Sequence, residues 1–409
     1  MNFPFFISKR IIRDRLSKDS ISKPIITVSI SSIAIGIIVM IIAIASGYGL
    51  QKEIRNKMIA ISGHVQLSRY DLNNSYDFSP INLTDSFIFE LAQKPEYIHI
   101  QKSGYKTGIA KNGVDFSGII LKGMETPNSW GYIQPFLSEG MVPDLSSEKA
   151  SKEVVISATL ARQMNYQIGD KIDLYFINDN SGNSRVKKFT ITGLYELGVD
   201  TDNMFVFCDL RQIQNLNNWN EKEFAFLEVY IEDYANLDLR TAELSEISPF
   251  DIQTKSVREL YPDIFLWTEM FDTNIYILLV IISMVASINM ISALLITILE
   301  RTQMVGVLKS IGLDDWGIRK IFIYNAFYLI LRGLFWGNLI GISFCIVQYY
   351  WHIIPLDAST YYVSYVPVSI GITEILLLNL GTLLICALIL VGPSYFVKYI
   401  QPVKALNFE

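Results

Sequence analysis

Four intervals of the chain carry no charged residue: between Lys23 and Lys52, Asp272 and Glu300, Arg332 and Asp357, and Glu374 and Lys398. Each is long enough to cross roughly 30 Å of hydrocarbon as a helix, and a soluble core element seldom runs that far uninterrupted. The pattern predicts four spans, at 24–47, 272–299, 321–350 and 371–397. The first follows a basic leader and contains Ala43-Ile44-Ala45, which resembles a cleavage site. Its apolar run, residues 25–45, exceeds the roughly 7–15 residues of a signal h-region, so it reads as a retained anchor.

Between the first two spans the period changes. Leu50, Ile54, Met58 and Ile61 recur at helical spacing among charged residues until Ser62-Gly63 ends the pattern. Ile264, Trp267, Phe271 and Ile275 make a similar stripe leading into the second span. Two such extensions are expected to bury their stripes against each other as stalks. Short alternating runs at 64–68, 118–123, 171–176, 189–193 and 226–231 predict strands. Turn signals stand at Gly169-Asp170 and at Asn180-Ser-Gly-Asn183. Helical stretches interrupt at 86–92, 158–164 and 237–244. The expected fold is a membrane protein with four transmembrane α-helices and a large α+β domain, 48–271, inserted between spans 1 and 2. Residues from about 105 to 190 look like an insertion between strand-bearing flanks, which would give that domain two lobes.

Charge fixes the expected orientation. Lys9, Arg10, Arg13, Arg15, Lys18 and Lys23 precede span 1, and Arg301, Lys309, Arg319 and Lys320 lie between spans 2 and 3. Lys398 and Lys404 follow span 4, whereas 351–367 holds no Lys or Arg. The positive-inside rule then puts 1–23, 300–320 and 398–409 in the cytoplasm, and 48–271 with 351–370 outside. Composition agrees: of 409 residues 51% are hydrophobic and 18% charged, with a mean hydropathy of +0.31, too apolar for an ordinary soluble protein. A net charge of −6 gives no hint of nucleic acid as a partner, leaving membrane lipids as the surroundings. Cys345 and Cys386 fall in spans, so Cys208 is alone outside and that domain must rely on its own core.

Familiar reaction chemistry is missing. There is no GxxxxGK[ST] phosphate-binding loop, and Gly47-Tyr-Gly49 begins a dinucleotide fingerprint that Lys52 breaks. His64, His99 and His352 are far apart without metal-ligand spacing, and no serine sits in GxSxG. No catalytic residue, cofactor or metal is therefore expected, and function is sought in movement and binding.

The loop at 300–320 predicts a short helix with an apolar face of Met304, Val307, Leu308 and Ile311, closed by Gly312. Asp314 or Asp315 would cap the next helix. Such a helix suits docking of a soluble partner, or rests on lipid headgroups. In span 3, Gly333, Gly337 and Gly341 lie four apart on one face and allow close helix approach, between spans or between chains. If that span begins near Lys320, Arg332 lies about 18 Å in; if it begins at Gly333, Arg332 snorkels at the inner surface. A protein-facing position in the inner half is the expectation.

The run Arg301-Thr-Gln-Met-Val-Gly-Val-Leu-Lys-Ser-Ile-Gly312, followed by Ile318-Arg-Lys-Ile-Phe322, resembles the signature loop of the FtsX/MacB-type ABC permeases. The tail Gln401-Pro-Val-Lys-Ala-Leu406 is similar to that of the same superfamily. Within it the chain resembles in particular the lipoprotein-releasing permeases LolC and LolE. Glu153-Val-Val-Ile-Ser, Ile168-Gly-Asp-Lys-Ile172 and Val199-Asp-Thr-Asp-Asn203 look like patterns of their outer domains. The resemblance implies a non-catalytic subunit in a bacterial inner membrane, paired with a second copy or a paralogue. Separate ABC ATPase subunits would dock on a coupling helix over about 303–312, with Gln303, Met304, Val307, Leu308, Ile311 and Gly312 as contacts. ATP-driven motion would reach the periplasmic domain, which acts on a lipoprotein substrate.

Two departures matter. Many members carry an acidic residue where this chain has Met304, so that contact is not expected to be a salt bridge. Residues 178–188, where releasing permeases extend a hook to a periplasmic lipoprotein carrier, are short and lack proline. Either this subunit does not recruit the carrier, or another loop does. Two alternatives stay open within the superfamily: a MacB-like export permease with a separate ATPase, and an FtsX-like regulator of periplasmic hydrolases.

Overall fold

The structure, a computed structural model, describes residues 3–15, 23–70, 78–147, 149–177, 184–198 and 204–399. The chain starts with helices α1 (Phe3–Arg15) and α2 (Lys23–Ser62), then β1 (Val65–Arg69), α3 (Asp85–Ala92), β2 (Tyr97–Asn112) and β3 (Asp115–Met124). It continues through β4 (Leu137–Gly140), β5 (Glu153–Ser157), α4 (Ala158–Gln163), β6 (Lys171–Ile177), β7 (Ser184–Tyr195), β8 (Phe205–Asp209) and α5 (Leu210–Asn217). There follow β9 (Phe226–Ile231), α6 (Leu237–Ile247), β10 (Ile252–Ser256), α7 (Val257–Leu260) and α8 (Pro262–Glu300). The last elements are α9 (Thr302–Ser310), α10 (Asp315–Trp351), α11 (Ala358–Tyr361) and α12 (Ile372–Ser394). Two compact units result: a helical one of 1–51, 268–354 and 366–409, and a mixed one of 52–267 with 355–365.

In the helical unit four helices, α2, α8, α10 and α12, are long and apolar enough to cross a membrane. Their directions follow from which residues meet. A Cβ added at Gly333 or Gly337 would stand 2.6 Å from the Cβ of Ile33 or Ile37, so α2 and α10 run parallel. Gly36 faces Ile282 and Gly47 faces Ile275, so α8 runs antiparallel to α2. That is the alternation that successive crossings demand. The spans are continuous with polar extensions, because a helix satisfies its backbone internally on both sides of the hydrocarbon boundary. α1 packs along this bundle too, burying Ser8 and Ile11 and setting Phe5 edge-on to Tyr324.

The mixed unit is built on one ten-stranded sheet, ordered β10-β1-β9-β2-β3-β8-β5-β7-β4, with β6 pairing β2 and β7. Strand β2 is its spine. Its first half pairs β9, its second half pairs β6, and β3 follows it from Ser103 to Asn112. The sheet carries two separate cores. One gathers Met58 and Ile61 of α2 with Val65, Leu67, Tyr105, Phe205, Phe226 and Phe265. The other gathers Ala110, Val154, Leu160, Ile172, Phe189, Val206 and Leu216. The second takes in β8 and α5, which lie beyond the stretch 105–190 read as an insertion. All five sequence-read strands coincide with strands, on β1, β3, β6, β7 and β9. The turn signal at 180–183, the pattern at 199–203, the first part of the 178–188 segment and the 401–406 tail lie outside the described residues.

The segment between α10 and α12, read only as a short outer loop, is organised. Pro355 bridges Tyr365, Val363 is buried, and Tyr362 meets the Trp267 ring at 5.6 Å.

Candidate functional site

Helix α9 begins one residue after α8 ends, and Thr302 Oγ1 donates back to the Leu299 carbonyl at 2.6 Å. Val305 and Leu308 are buried in the helical core, and Met304 packs half-buried beside them. Gln303 is exposed, Val307 is 45% exposed and Ile311 is 77% exposed. The apolar face expected from sequence is therefore divided. Met304 and Leu308 serve as anchors turned into the bundle, and Gln303, Val307 and Ile311 make the outward face. The spacing of the four apolar residues could not reveal this, because Val305 on the flank pulls the buried arc round by a quarter turn.

The end of α9 is tightly closed. Gly312 has φ +94°, its N–H donates to Lys309 O at 3.0 Å, and Leu313 N–H donates to Leu308 O at 3.0 Å. These are the two bonds of a Schellman closure, which needs a residue without a Cβ penalty at that point. Asp314, one of the two caps read from sequence, accepts the Gly317 N–H at 3.2 Å and starts α10. Lys309 Nζ lies 2.9 Å from Asp315 Oδ1 across the turn.

The glycine stripe of α10 is buried against α2 of the same chain. Gly333, Gly337 and Gly341 meet Ile33, Ile37 and Ile41, so the close approach is span to span. Asn338 and Asn379 add a polar clasp between α10 and α12, exchanging amide hydrogen bonds of 2.6 and 2.9 Å. Each amide also donates at 2.7 Å to a carbonyl one turn back on its own helix. Arg332 is exposed, facing away from its own bundle, with its guanidinium 4.8 Å from the Tyr328 ring centre. The glycine stripe takes the inward face of α10, and helical spacing leaves Arg332 the other one.

In the mixed unit, the C-terminal end of α2 is pinned by charges that sequence reading passed over. Lys122 and Glu228, both fully buried, pair at 2.6 Å. Lys122 Nζ also donates to the Ile61 carbonyl, in the last turn of α2, where a cation suits the helix dipole. Gln101 donates to Glu228 and to the Tyr230 hydroxyl, and that hydroxyl donates to Glu228 at 3.3 Å. Burial lowers the Lys122 pKa from its ordinary value against the raising effect of Glu228. Burial, then Glu228, holds the Tyr230 phenol well above its usual range. Lys57, a buried lysine one turn earlier on α2, donates to Leu197 O and, at 2.7 Å, to Tyr362 O. It ties α2 to the β7–β8 connection and to the 355–365 segment. Alternating periodicity gives no sign of such lysines, since a Lys in a strand or stalk ordinarily reads as solvent-facing.

A cleft of about 560 Å³ in the mixed unit is lined by Lys102, Glu125, Asp209, Arg211, Trp219 and Glu221. Four of its charges pair, Arg211 with Asp209 at 2.6 Å and Lys102 with Glu125 at 3.5 Å. Among the described residues no group of three or more His, Cys, Asp or Glu could hold a metal. Cys208, Cys345 and Cys386 are free thiols, all buried.

A helical bundle with a short helix turned outward between its second and third spans, and a sheet domain grown between its first two, defines the class of a membrane permease. Family profiles agree: one described as MacB-like periplasmic core domain matches residues 27–247, and one described as FtsX-like permease C-terminal matches 276–402. The chain belongs to this FtsX/MacB permease family. It is similar to the lipoprotein-releasing system transmembrane protein LolC of Neisseria meningitidis serogroup B, at 24% identity over 91% of this chain and 92% of that one. It is similar also to the corresponding LolE of Haemophilus influenzae, at 22% identity over 100% of both chains. Among solved structures, the periplasmic region of MacB from Actinobacillus actinomycetemcomitans aligns with a TM-score of 0.36 and 14% identity, over 49% of this chain and 91% of that one.

Proposed function

We propose that the chain is the permease subunit of an ATP-driven lipoprotein-releasing transporter, relaying ATPase motion to a periplasmic domain that extracts lipoproteins from the inner membrane. The observation that carries this reading is the end-to-end similarity to LolC and LolE relatives, in which no part of the architecture is left over. The basic loops support an orientation with both termini and α9 in the cytoplasm and the sheet in the periplasm. Separate ATPase subunits dock on the outward face of α9, at Gln303, Val307 and Ile311, beside Gly312. A second permease, copy or paralogue, completes the pair. In this reading displacement of α9 is relayed along α2 and α8, each one unbroken helix. ATP is hydrolysed by the partner, and this chain supplies levers. A periplasmic carrier receives the lipoprotein.

Co-purification of the ATPase tests the docking face. V307D/I311D, which changes only exposed side chains, is expected to lose the ATPase while the permease is recovered in normal yield. L308D, at a buried position, is expected to lower the yield of the permease itself. ATPase recovered in wild-type amounts with V307D/I311D would place the docking surface elsewhere.

A further inference from the structure

The cleft in the mixed unit lies on the seam between its two cores: Trp219, in the lining, packs half-buried against both. Ligand pockets form preferentially where two folded bodies meet, and about 560 Å³ falls in their usual range. The walls are tied down. Ser151 N–H donates to Asp209 Oδ2, Arg211 donates to Ser147 O, and the Gln212 amide donates to Ser151 O, each at 2.8 Å. After α5, the turn carrying Trp219 and Glu221 is fixed in the same way. Trp219 N–H donates to Gln214 O at 2.8 Å, and the Gln214 amide donates to the Glu221 and Glu223 carbonyls at 3.1 and 3.0 Å. A ligand therefore meets a preformed surface and has little ordering cost to offset.

What that surface can hold follows from which of its groups are already used. Both cations are spent, Arg211 on Asp209 and Lys102 on Glu125, whose other oxygen accepts the Lys102 N–H at 2.9 Å. The third carboxylate, Glu221, is exposed and among the described residues makes no side-chain hydrogen bond or ion pair. The Asn215 amide, also in the lining, is likewise exposed and uncommitted among them. Two cations against three carboxylates leave the described lining net negative, so an anion is repelled and a cation is drawn in. Trp219 adds the aromatic ring on which a cation rests best. A simple amine would use only Glu221 and Trp219. The Asn215 amide both donates and accepts, and so matches a peptide group flanking the cation.

We propose that this cleft binds a lysine or arginine side chain of a partner polypeptide, its cation held by Glu221 and Trp219 and its backbone met by Asn215. The partner is a chain that presents a basic residue at its contact surface. The site does not depend on what the permease releases, and it uses none of the residues of the α9 docking face.

The test is the fluorescence of Trp219 in the purified full-length chain in detergent, with W219F supplying the background of the other tryptophans. Three probes are titrated: the blocked tripeptide Gly-Lys-Gly, its Gly-Glu-Gly counterpart, and butylammonium. The lysine peptide is expected to change Trp219 emission saturably, the glutamate peptide to leave it unchanged, and butylammonium to need a higher concentration than the lysine peptide. E221Q keeps the backbone carbonyl that Gln214 uses, and is expected to weaken the lysine peptide about threefold, as loss of an exposed ion pair does. N215A is expected to bring the lysine peptide down to the level of butylammonium. No saturable change with the lysine peptide, or equal responses to the two peptides, overturns the proposal in the wild-type chain alone. Undiminished affinity in E221Q overturns it too, by removing the counter-charge. Butylammonium binding as tightly as the lysine peptide overturns the choice of a polypeptide and leaves a site for small amines.

Discussion

Lys122 and Glu228 bring opposite charges into the interior of a sheet, where neither is tolerable alone. Removing one partner of a buried pair strands the other, a loss of about 3–5 kcal/mol, whereas neutralising both is often close to neutral. K122M is therefore expected to destabilise the chain strongly, and K122M/E228Q to recover most of that loss. In the double variant the new amide oxygen at position 228 still accepts from Gln101 and Tyr230. Chemical denaturation of the detergent-solubilised full chain, followed by tryptophan fluorescence, measures both. A double variant as unstable as K122M would mean that the bond to Ile61 O, rather than the ion pair, matters. His64 gives the pH counterpart. Burial, with a smaller effect from Arg55, lowers its pKa to about 4, against about 6.5 for an unperturbed imidazole. The folded state thus prefers neutral His64, so stability is full above about pH 6.5 and falls as the pH drops toward 4. H64N is expected to flatten that decline relative to wild type between pH 7 and pH 5.

At the scale of elements, close helix contact is the claim most open to substitution. A side chain at Gly337 would collide with the Ile37 Cβ and the Ala34 carbonyl, whereas at Gly381 nothing lies within 4 Å. G337L is expected to part α2 from α10 and lower the thermal aggregation midpoint in detergent, at a cost of about 1–3 kcal/mol, with G381A unchanged. The stripe of Gly333, Gly337 and Gly341 was legible in the sequence because a four-residue period has one meaning on a helix. Its partner was not, since the period is the same for a contact within or between chains. Strand β2 escaped notice for a different reason. Gly104 and Gly108 break its alternation, and at Gly108 the sheet needs the room: a Cβ there would sit 2.7 Å from the Phe176 ring. On α9 the cap residues Gly312 and Asp314 were readable from local chemistry alone. The division of its apolar face depends on tertiary packing and was not. Lys57 and Lys122 were missed altogether, because a lysine becomes structural only through carbonyls and carboxylates brought in from distant strands.

At the scale of the whole molecule, the proposed function treats the chain as a set of levers. The spans were written in four charge-free intervals, and their alternating direction appears again in the packing of α2 against α8 and α10. The sheet domain holds α2 by its last turn, through Lys57 and Lys122, and takes Phe265 of α8 into its core. Nothing in these contacts distinguishes one cargo from another, so the cargo rests on kinship with the lipoprotein-releasing permeases. Depletion of the chain followed by separation of inner and outer membranes addresses this directly. Lipoproteins destined for the outer membrane are expected to accumulate in the inner membrane, and V307D/I311D is expected to reproduce the defect. An unaltered lipoprotein distribution, accompanied by drug sensitivity or cell chaining, would contradict the account.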